Sequence, residues 1–272
     1  MGAVIRRSLL VTAGAVLLLA TSHAQTGATS SITGTPTTTA IVTALGNALG
    51  GVSNIKKIQT IYFEYKELSV HALPTGDIQP MQMRLHLVGR EWLTAAGDDR
   101  SESRSTGAMA PPMLQVFQAG SSPQGWLLVG DQGFPSGNST GALQGPDLTR
   151  EISHVYWTTF AYLTTSGIPG TMKYKPTGGL DYLLVMQPNG GEQINAYLDK
   201  TTFLPVKVQI EDGTYNMILE PKDWKFVDGV RFPFHMTVHI FDAQLTLQYL
   251  FTKIALNVTP PKGAFTQPTP AI

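Results

Sequence analysis

Five alternating segments within residues 193–260 decide the fold, and the first two have the sequence QINAYLDKTTFLPVKVQI (residues 193–210). Apolar side chains occupy every second position of each segment, as in Ile194/Ala196/Leu198, Val206/Val208/Ile210, Tyr215/Met217/Leu219, Phe232/Phe234/Met236/Val238/Ile240 and Leu245/Leu247/Tyr249/Phe251. This period of two is typical of half-buried β-strands. Asp and Gly, which short hairpin turns favour, lie between the segments in residues 199–202, 211–213 and 228–229. We therefore predict an antiparallel meander with one continuous apolar face.

The same stretch resembles the closing strands of periplasmic lipoprotein carrier proteins of the LolA/LolB type. The passages that carry the resemblance are AYLDKTTFLPVKVQI (196–210), DWKFVDGVRFPFHMTVHI (223–240) and LQYLFTKIALNVTPPKGAF (247–265). The features in common with those proteins are a strand ending in Tyr-x-Asp, a strand opened by Leu-Pro, a Val-Asp-Gly-Val-x-Phe-Pro hairpin and a terminal Phe. The resemblance implies a curved, incompletely closed β-barrel, with helices over its mouth and an apolar cavity between helices and sheet.

The rest of the chain supplies helices and further strands, which makes the predicted fold class mainly β (α+β). Helical spacing of apolar residues predicts one helix over residues 40–49 and a second, unusually aromatic one from Asp147 or Thr149 to about Leu163. Strands are predicted at residues 61–65, 81–87, 113–117, 126–129, 172–174 and 182–186, with a long glycine-rich loop over 133–145. We predict a curved antiparallel sheet with two or three helices covering its mouth.

The N-terminus predicts export. Arg6 and Arg7 precede an apolar run over residues 9–20, and Ser22-His23-Ala24 is typical of a cleavage site. We assign residues 1–24 to a signal peptide, 25–39 to a flexible Thr/Ser/Gly-rich leader, 40–265 to a single domain and 266–272 to a tail. Periplasmic or secreted localisation follows, by the general or the twin-arginine route. A lipid anchor of the bacterial type needs a Cys after the cleavage site, and the chain has none.

Composition excludes several classes of partner and cofactor. The formal net charge is zero and only 14% of residues are charged, which argues against binding to nucleic acid. The chain contains no cysteine, so disulfides, thiolate metal sites and Cys nucleophiles are excluded. No glycine-rich phosphate loop occurs, and we predict no cofactor.

Candidate ligand-binding residues come from the predicted inner face of the sheet and from the aromatic helix. They are Phe63, Tyr65, Met83, Leu85, Tyr156, Trp157, Phe160, Met217, Phe234, Met236 and Tyr249. Surfaces rich in Met and aromatic side chains adapt to irregular apolar ligands such as acyl chains. The same residues would also fill a barrel packed completely by side chains, and the sequence leaves both possibilities open.

A hydrolase is an alternative, because residues 137–141 (GNSTG) match the G-x-S-x-G motif around a nucleophilic serine. That mechanism needs a strand directly before Ser139 and a helix directly after it. The flanking sequences FPS (134–136) and ALQGP (142–146) favour neither. We therefore predict a non-enzymatic protein.

Two further groups are candidates for chemistry. His235 and His239 are four residues apart, but in a strand this places them about 13 Å apart, too far to share one metal ion. The acidic residues Asp98, Asp99 and Glu102 predict a solvated turn that enters an outward-facing strand. Neither group predicts a site.

The function predicted from the sequence is burial of an apolar group in the cavity of a half-barrel. The expected partners are a hydrophobic small molecule or the acyl chains of a lipid or lipoprotein, and a monomer is expected. The other alternative is a cell-envelope interaction module with a packed core, an exposed edge or patch, and envelope protein partners.

Overall fold

The computed structural model describes residues 35–73, 81–107, 112–130, 139–164, 166–211, 216–241 and 244–268. The assigned signal peptide, most of the leader, residues 74–80 and the turn at 211–213 fall partly or wholly outside these ranges. The division into segments therefore stays a prediction.

Thirteen antiparallel strands form one sheet. They are β1 (Thr60–Leu73), β2 (Met81–Thr94), β3 (Asp99–Ser105), β4 (Met113–Gln118), β5 (Gln124–Val129), β6 (Ser139–Ala142), β7 (Gly170–Lys175), β8 (Asp181–Pro188), β9 (Gln193–Asp199), β10 (Pro205–Glu211), β11 (Asn216–Val227), β12 (Val230–Ile240) and β13 (Leu245–Leu256). Their order is β6-β5-β4-β3-β2-β1-β13-β12-β11-β10-β9-β8-β7. Among the described strands β6 and β7 are the two edges, so the sheet is an unclosed barrel. The predicted fold class is confirmed.

The meander is confirmed over the described parts of residues 193–256, with one local correction, and Tyr215 lies outside the described residues. Val206 was predicted on the apolar face, yet it is 42% exposed. The pairing of β10 with β9 shifts register between Pro205 and Lys207, so Pro205 is buried in its place. A bulge adds one residue and reverses the alternation on one side of it, which a strict period of two does not anticipate.

Close contact between β1 and β2 helps the sheet to bend. The pairing of β1 with β13 shifts register between Glu64 and Tyr65. The ring of Tyr65 lies directly over Gly89 of β2, where a Cβ atom would come within 2.2 Å of it. Any larger residue at position 89 would therefore displace the ring.

Helix α1 (Thr38–Ala48) closes one end of the curved sheet and begins two residues before the predicted helix. The Oγ1 atom of Thr37 accepts a hydrogen bond from the backbone N–H of Ala40 and caps the helix. Ile41, Leu45 and Leu49 are fully buried. A short helix, α2 (Val52–Ile55), follows it.

The second predicted helix is shorter than expected. Helix α3 (Pro146–Thr158) ends five residues before Leu163, and a 3-10 turn (Ala161–Leu163) follows it. Phe160, which was predicted on the helix, has a left-handed backbone with φ of 58°. This conformation, uncommon for a bulky residue, turns the chain between the two helical pieces.

Candidate apolar site under helix α3

A small apolar cavity of about 70 Å³ lies between helix α3 and the concave face of the sheet. Helix α3 and the turn after it form the roof, and strands β1 and β10–β13 form the floor. The lining residues are Phe63, His154, Trp157, Thr158, Phe160, Tyr162, Val208, Leu219, Pro221, Trp224, Phe232, Pro233, Met236 and Phe251. Ligand pockets usually measure about 300–1,000 Å³. The cavity can therefore admit an acyl chain only if its roof moves.

Aromatic rings form most of the roof. Trp157 and Tyr162 stack at 5.3 Å with an interplanar angle of 14°. Phe160 meets Phe232 of the floor edge-to-face at 5.4 Å. The left-handed backbone of Phe160 brings its ring from the end of α3 down onto β12. The roof thus contacts the floor through aromatic rings, and such ring contacts involve no hydrogen bond.

The structure brings four of the predicted binding residues to this cavity. Phe63, Trp157, Phe160 and Met236 line it. Tyr65, Met217, Phe234 and Tyr249 contribute to the packed core or to its margin instead. Tyr65 and Tyr249 meet edge-to-face at 5.5 Å on the concave face. These contacts leave open which of the predicted residues bind a ligand.

Three predicted binding residues lie elsewhere. Tyr156 is 1% exposed, contacts Tyr162 and has its hydroxyl group beside Gly170 of the edge strand β7. It faces away from the cavity, and burial raises the pKa of its hydroxyl to about 12. Leu85 is half-buried on β2, and Met83 lies on the same strand with its side chain outside the described part of the structure.

Beyond His154 the concave face becomes polar, and buried carboxyl groups hold helix α3 to strands β2–β4. Nε2 of His154 lies 2.7 Å from Oε1 of Glu91. Nε2 of Gln115 donates to Oε2 of Glu151 at 2.5 Å. The carboxyl group of Asp99, 1% exposed, lies beside that of Glu151. We call Glu91, Asp99, Glu151 and His154 the lid cluster.

Burial sets the protonation of the lid cluster. It raises the pKa of Asp99 well above the usual range, and the neighbouring Glu91 and Glu151 raise it further. It also raises the pKa of Glu151, against the opposing effect of His154. Neither oxygen of Asp99 has a hydrogen-bond partner among the described residues while both carboxyls are ionised. The raised pKa values of Asp99 and Glu151 favour a proton shared between the two carboxyl groups.

His154 is the cation of the lid cluster. Burial lowers its pKa, but the carboxylate of Glu91 outweighs burial and raises the pKa to about 9. At neutral pH, His154 is therefore charged and paired with Glu91. The pair joins the middle of α3 to the C-terminal part of β2 at the edge of the apolar cavity.

The expectation of a solvated turn at Asp98–Glu102 was wrong for Asp99. The strand begins at this residue, and its side chain points to the interior opposite Leu93 and Phe117. The sequence did contain one signal, since Glu91 shares the alternation of Leu87 and Leu93 and so falls on the inner face of β2. The pattern of residues within β3 did not predict which residues of β2 and β4 it pairs with.

The other residues considered for catalysis or metal binding are not described in contact with one another. Ser139 begins β6, and its side chain lies outside the described part of the structure. His235 and His239 are on β12 as expected, where His235 lies 3.5 Å from Asp223 and His239 contacts Thr246. Among the described residues, no group of three or more His, Asp or Glu side chains has an arrangement that could hold a metal ion.

Comparison with known proteins identifies the fold. No family model matches the chain, and no curated protein does. Among solved structures, a domain from Vibrio parahaemolyticus described as an outer membrane lipoprotein-sorting protein domain aligns with a TM-score of 0.51. The alignment covers 83% of this chain and 94% of that domain at 10% identity. The chain therefore has the LolA-like fold that the resemblance implied.

Two further structures align over similar lengths with lower scores. A DUF1329 family protein from Desulfovibrio piger has a TM-score of 0.49 at 11% identity, and covers 85% of this chain and 98% of its own. A LolA superfamily protein from Nitrosomonas europaea has a TM-score of 0.44 at 10% identity, with the same coverage. In the part of the chain that the structure describes, no helix is both long and apolar enough to cross a membrane.

Proposed function

We propose that this protein is a non-enzymatic, exported carrier that buries an apolar group, such as an acyl chain of a lipid or lipoprotein, between helix α3 and the concave face of the sheet. The observation that carries the proposal is the apolar cavity beneath the aromatic roof of Trp157, Phe160 and Tyr162. Its walls offer apolar surface, and each buried CH₂ group contributes about 0.8 kcal/mol to binding. The LolA-like fold is consistent with this use of the site.

Binding requires helix α3 to move, because the cavity in this structure is a small fraction of the volume of an acyl chain. Both ends of α3 are suited to a change of backbone direction. Gly145 precedes the helix with φ of 52°, and Phe160 follows it with φ of 58°. The helix would swing away as a unit and carry Trp157 off the sheet.

The test is uptake of palmitate by the mature protein, measured by native mass spectrometry and by the fluorescence of bound fatty acid analogues. We expect wild-type protein to take up palmitate, and Trp157→Gln to bind it at least tenfold more weakly in the cavity under α3. Trp126→Gln is the matched control, because Trp126 lies on β5, pairs with Val116 and is absent from the cavity lining. It should bind as wild type does.

Protein that takes up neither palmitate nor a lipopeptide would overturn the proposal and favour an interaction module with a packed interior. Equal losses in Trp157→Gln and Trp126→Gln would also contradict it, since they would indicate a general loss of folding. Protein purified from its own compartment should additionally release a lipid on extraction. Periplasmic or secreted localisation is part of the proposal and is tested by fractionating cells that express the full chain.

A further inference from the structure

A hollow of about 700 Å³ lies on the face of the sheet opposite helix α3. The register of β1–β5 aligns Glu64, Arg90, Glu102, Leu114 and Leu128 in one cross-strand row. The next row contains Lys66, Val88 and Arg104. Directly paired residues on adjacent strands point to the same face, so both rows line this hollow. We call it the outer groove.

The outer groove has unbalanced positive charge. The charged side chains that line it are Glu64, Lys66, Arg90, Arg100, Glu102 and Arg104. Glu102 lies 2.5 Å from Arg90 and 2.6 Å from Arg100, so its single negative charge is paired with two arginines. Glu64 pairs with Lys253, which lies just outside the lining. Both acidic groups of the groove are thus already matched.

Lys66 and Arg104 supply most of the positive charge that remains. Both side chains are exposed, and neither has an ion pair among the described residues. They lie on opposite sides of Val88 in the same cross-strand row. A guanidinium and an ammonium group on the two strands that flank β2 are suited to a phosphate, sulfate or carboxylate group.

The floor beside these cations is apolar. Val88, Leu114 and Leu128 line it, and Met113 at its end is 41% exposed. Partly exposed aliphatic side chains on the outer face of a strand cost solvation energy that a bound apolar group would recover. The groove therefore presents cations and apolar surface together.

The C-terminal segment builds the outer face next to the groove. Arg100 donates from Nη1 to the carbonyl oxygen of Ala264 at 3.1 Å, and Gln118 donates to that of Phe265 at 2.7 Å. These bonds hold residues 264–265 across β3 and β4, and they fix the guanidinium of Arg100 within the groove lining. The hollow of about 700 Å³ lies beside this segment, and a single molecule fits into such a recess better than a flat membrane surface does.

We propose that the outer groove binds one monomeric anionic amphiphile, with its anionic head group between Lys66 and Arg104 and its apolar part over Val88, Leu114 and Leu128. This site is separate from the cavity under α3 and lies on the other face of the sheet. It does not depend on the proposed carrier function. Both the cations and the apolar floor contribute to binding.

The experiment measures binding of dodecyl phosphate, below its micelle concentration, by isothermal titration calorimetry. The test variant is Lys66→Gln/Arg104→Gln, and the matched control is Lys173→Gln/Lys175→Gln, which removes the same charge from β7 at the far end of the sheet. Both pairs of side chains are exposed, so both variants should fold normally. We expect at least a tenfold loss of affinity in the test variant alone, with Trp157→Gln retaining the site.

Three results would overturn the proposal. Unchanged affinity in the test variant would show that dodecyl phosphate binds elsewhere. Equal binding of inorganic phosphate or of dodecyl maltoside would show that only the charge or only the chain is recognised. Binding to phosphatidylglycerol vesicles that depends on Lys66 and Arg104, without binding of monomeric dodecyl phosphate, would assign these cations to a membrane surface instead. Palmitate is also an anionic amphiphile, so the variants must separate the two sites. Palmitate that stays bound to Trp157→Gln but is lost in Lys66→Gln/Arg104→Gln occupies the outer groove, whereas loss in Trp157→Gln alone concerns only the cavity under α3.

Discussion

At the scale of single residues, position within the sheet decides how much an apolar side chain contributes to the stability of the fold. Leu184 lies on β8 and is fully buried, whereas Leu180, four residues earlier, precedes the strand and is 88% exposed. Leu184 pairs with Ala196 of β9 and Tyr174 of β7 on the core side. Leu184 is therefore a buried test position, and Leu180 is an exposed control of the same residue type.

We expect Leu184→Ala to lower the free energy of unfolding by about 2–5 kcal/mol, because it removes buried methyl groups and leaves a cavity. Leu180→Ala should change it by less than about 0.5 kcal/mol, since the side chain is already in water. Urea unfolding followed by tryptophan fluorescence measures both. Similar values for the two variants would mean that β8 does not belong to the core.

At the scale of elements, helix α3 is attached to the sheet by few polar contacts outside the lid cluster. Ser153 is fully buried, donates from Oγ to the carbonyl oxygen of Thr149, and accepts from the backbone N–H of Glu192 at 2.6 Å. The second of these bonds ties α3 to the turn between β8 and β9. Thr149 also donates to the carboxylate of Glu192. The helix is thus held at its N-terminal half by this turn and at its centre by the lid cluster.

We expect Ser153→Ala to reduce the stability of this attachment by about 1–3 kcal/mol, because the N–H of Glu192 loses its partner. Amide hydrogen exchange in α3 should accelerate more than exchange in β12, and palmitate uptake should become faster. Ser121→Ala, at an exposed turn residue, is the control and should change neither. Acceleration of exchange by the same factor in α3 and β12 would show global destabilisation and contradict a separate motion of the helix.

At the scale of the whole molecule, the lid cluster makes folding depend on pH. The folded-state pKa of His154 is raised to about 9, and those of Asp99 and Glu151 are raised as well. A group whose pKa is raised in the folded state stabilises that state below its unfolded pKa, and this contribution is lost as the pH rises through the folded pKa. The shifts of all three groups have the same sign.

We therefore expect the stability of the protein to fall as the pH rises from about 6.5 to 9, the window set by His154 in its unfolded and folded states. The urea midpoint, measured at constant ionic strength, should decrease across this window. His154→Gln should flatten the decrease, whereas Ser121→Ala, at an exposed position, should leave it unchanged. A midpoint that rises with pH would show that His154 is neutral in the folded protein.

The sequence by itself determined the meander and the presence of an aromatic helix, because alternation, turn residues and helical spacing are local properties of the chain. The fold as a whole was implied by the resemblance of the closing strands to those of lipoprotein carriers. The sequence placed Phe63, Trp157, Phe160 and Met236 on surfaces that do meet at the cavity. The bulge that exposes Val206 and the left-handed backbone of Phe160 left no periodic signal, so these two details were wrong.

Only the tertiary structure decided which charges are buried and which are exposed. Asp99 and Arg104 lie on the same strand, yet one is enclosed beside Glu151 and the other faces the outer groove. The face of the sheet on which each residue lies depends on the register of β3 against β2. This register is fixed by pairing between strands. The lid cluster joins residues about 60 positions apart in the chain, from Glu91 to His154. No local pattern can encode such a contact, because it arises only when α3 packs across the folded sheet.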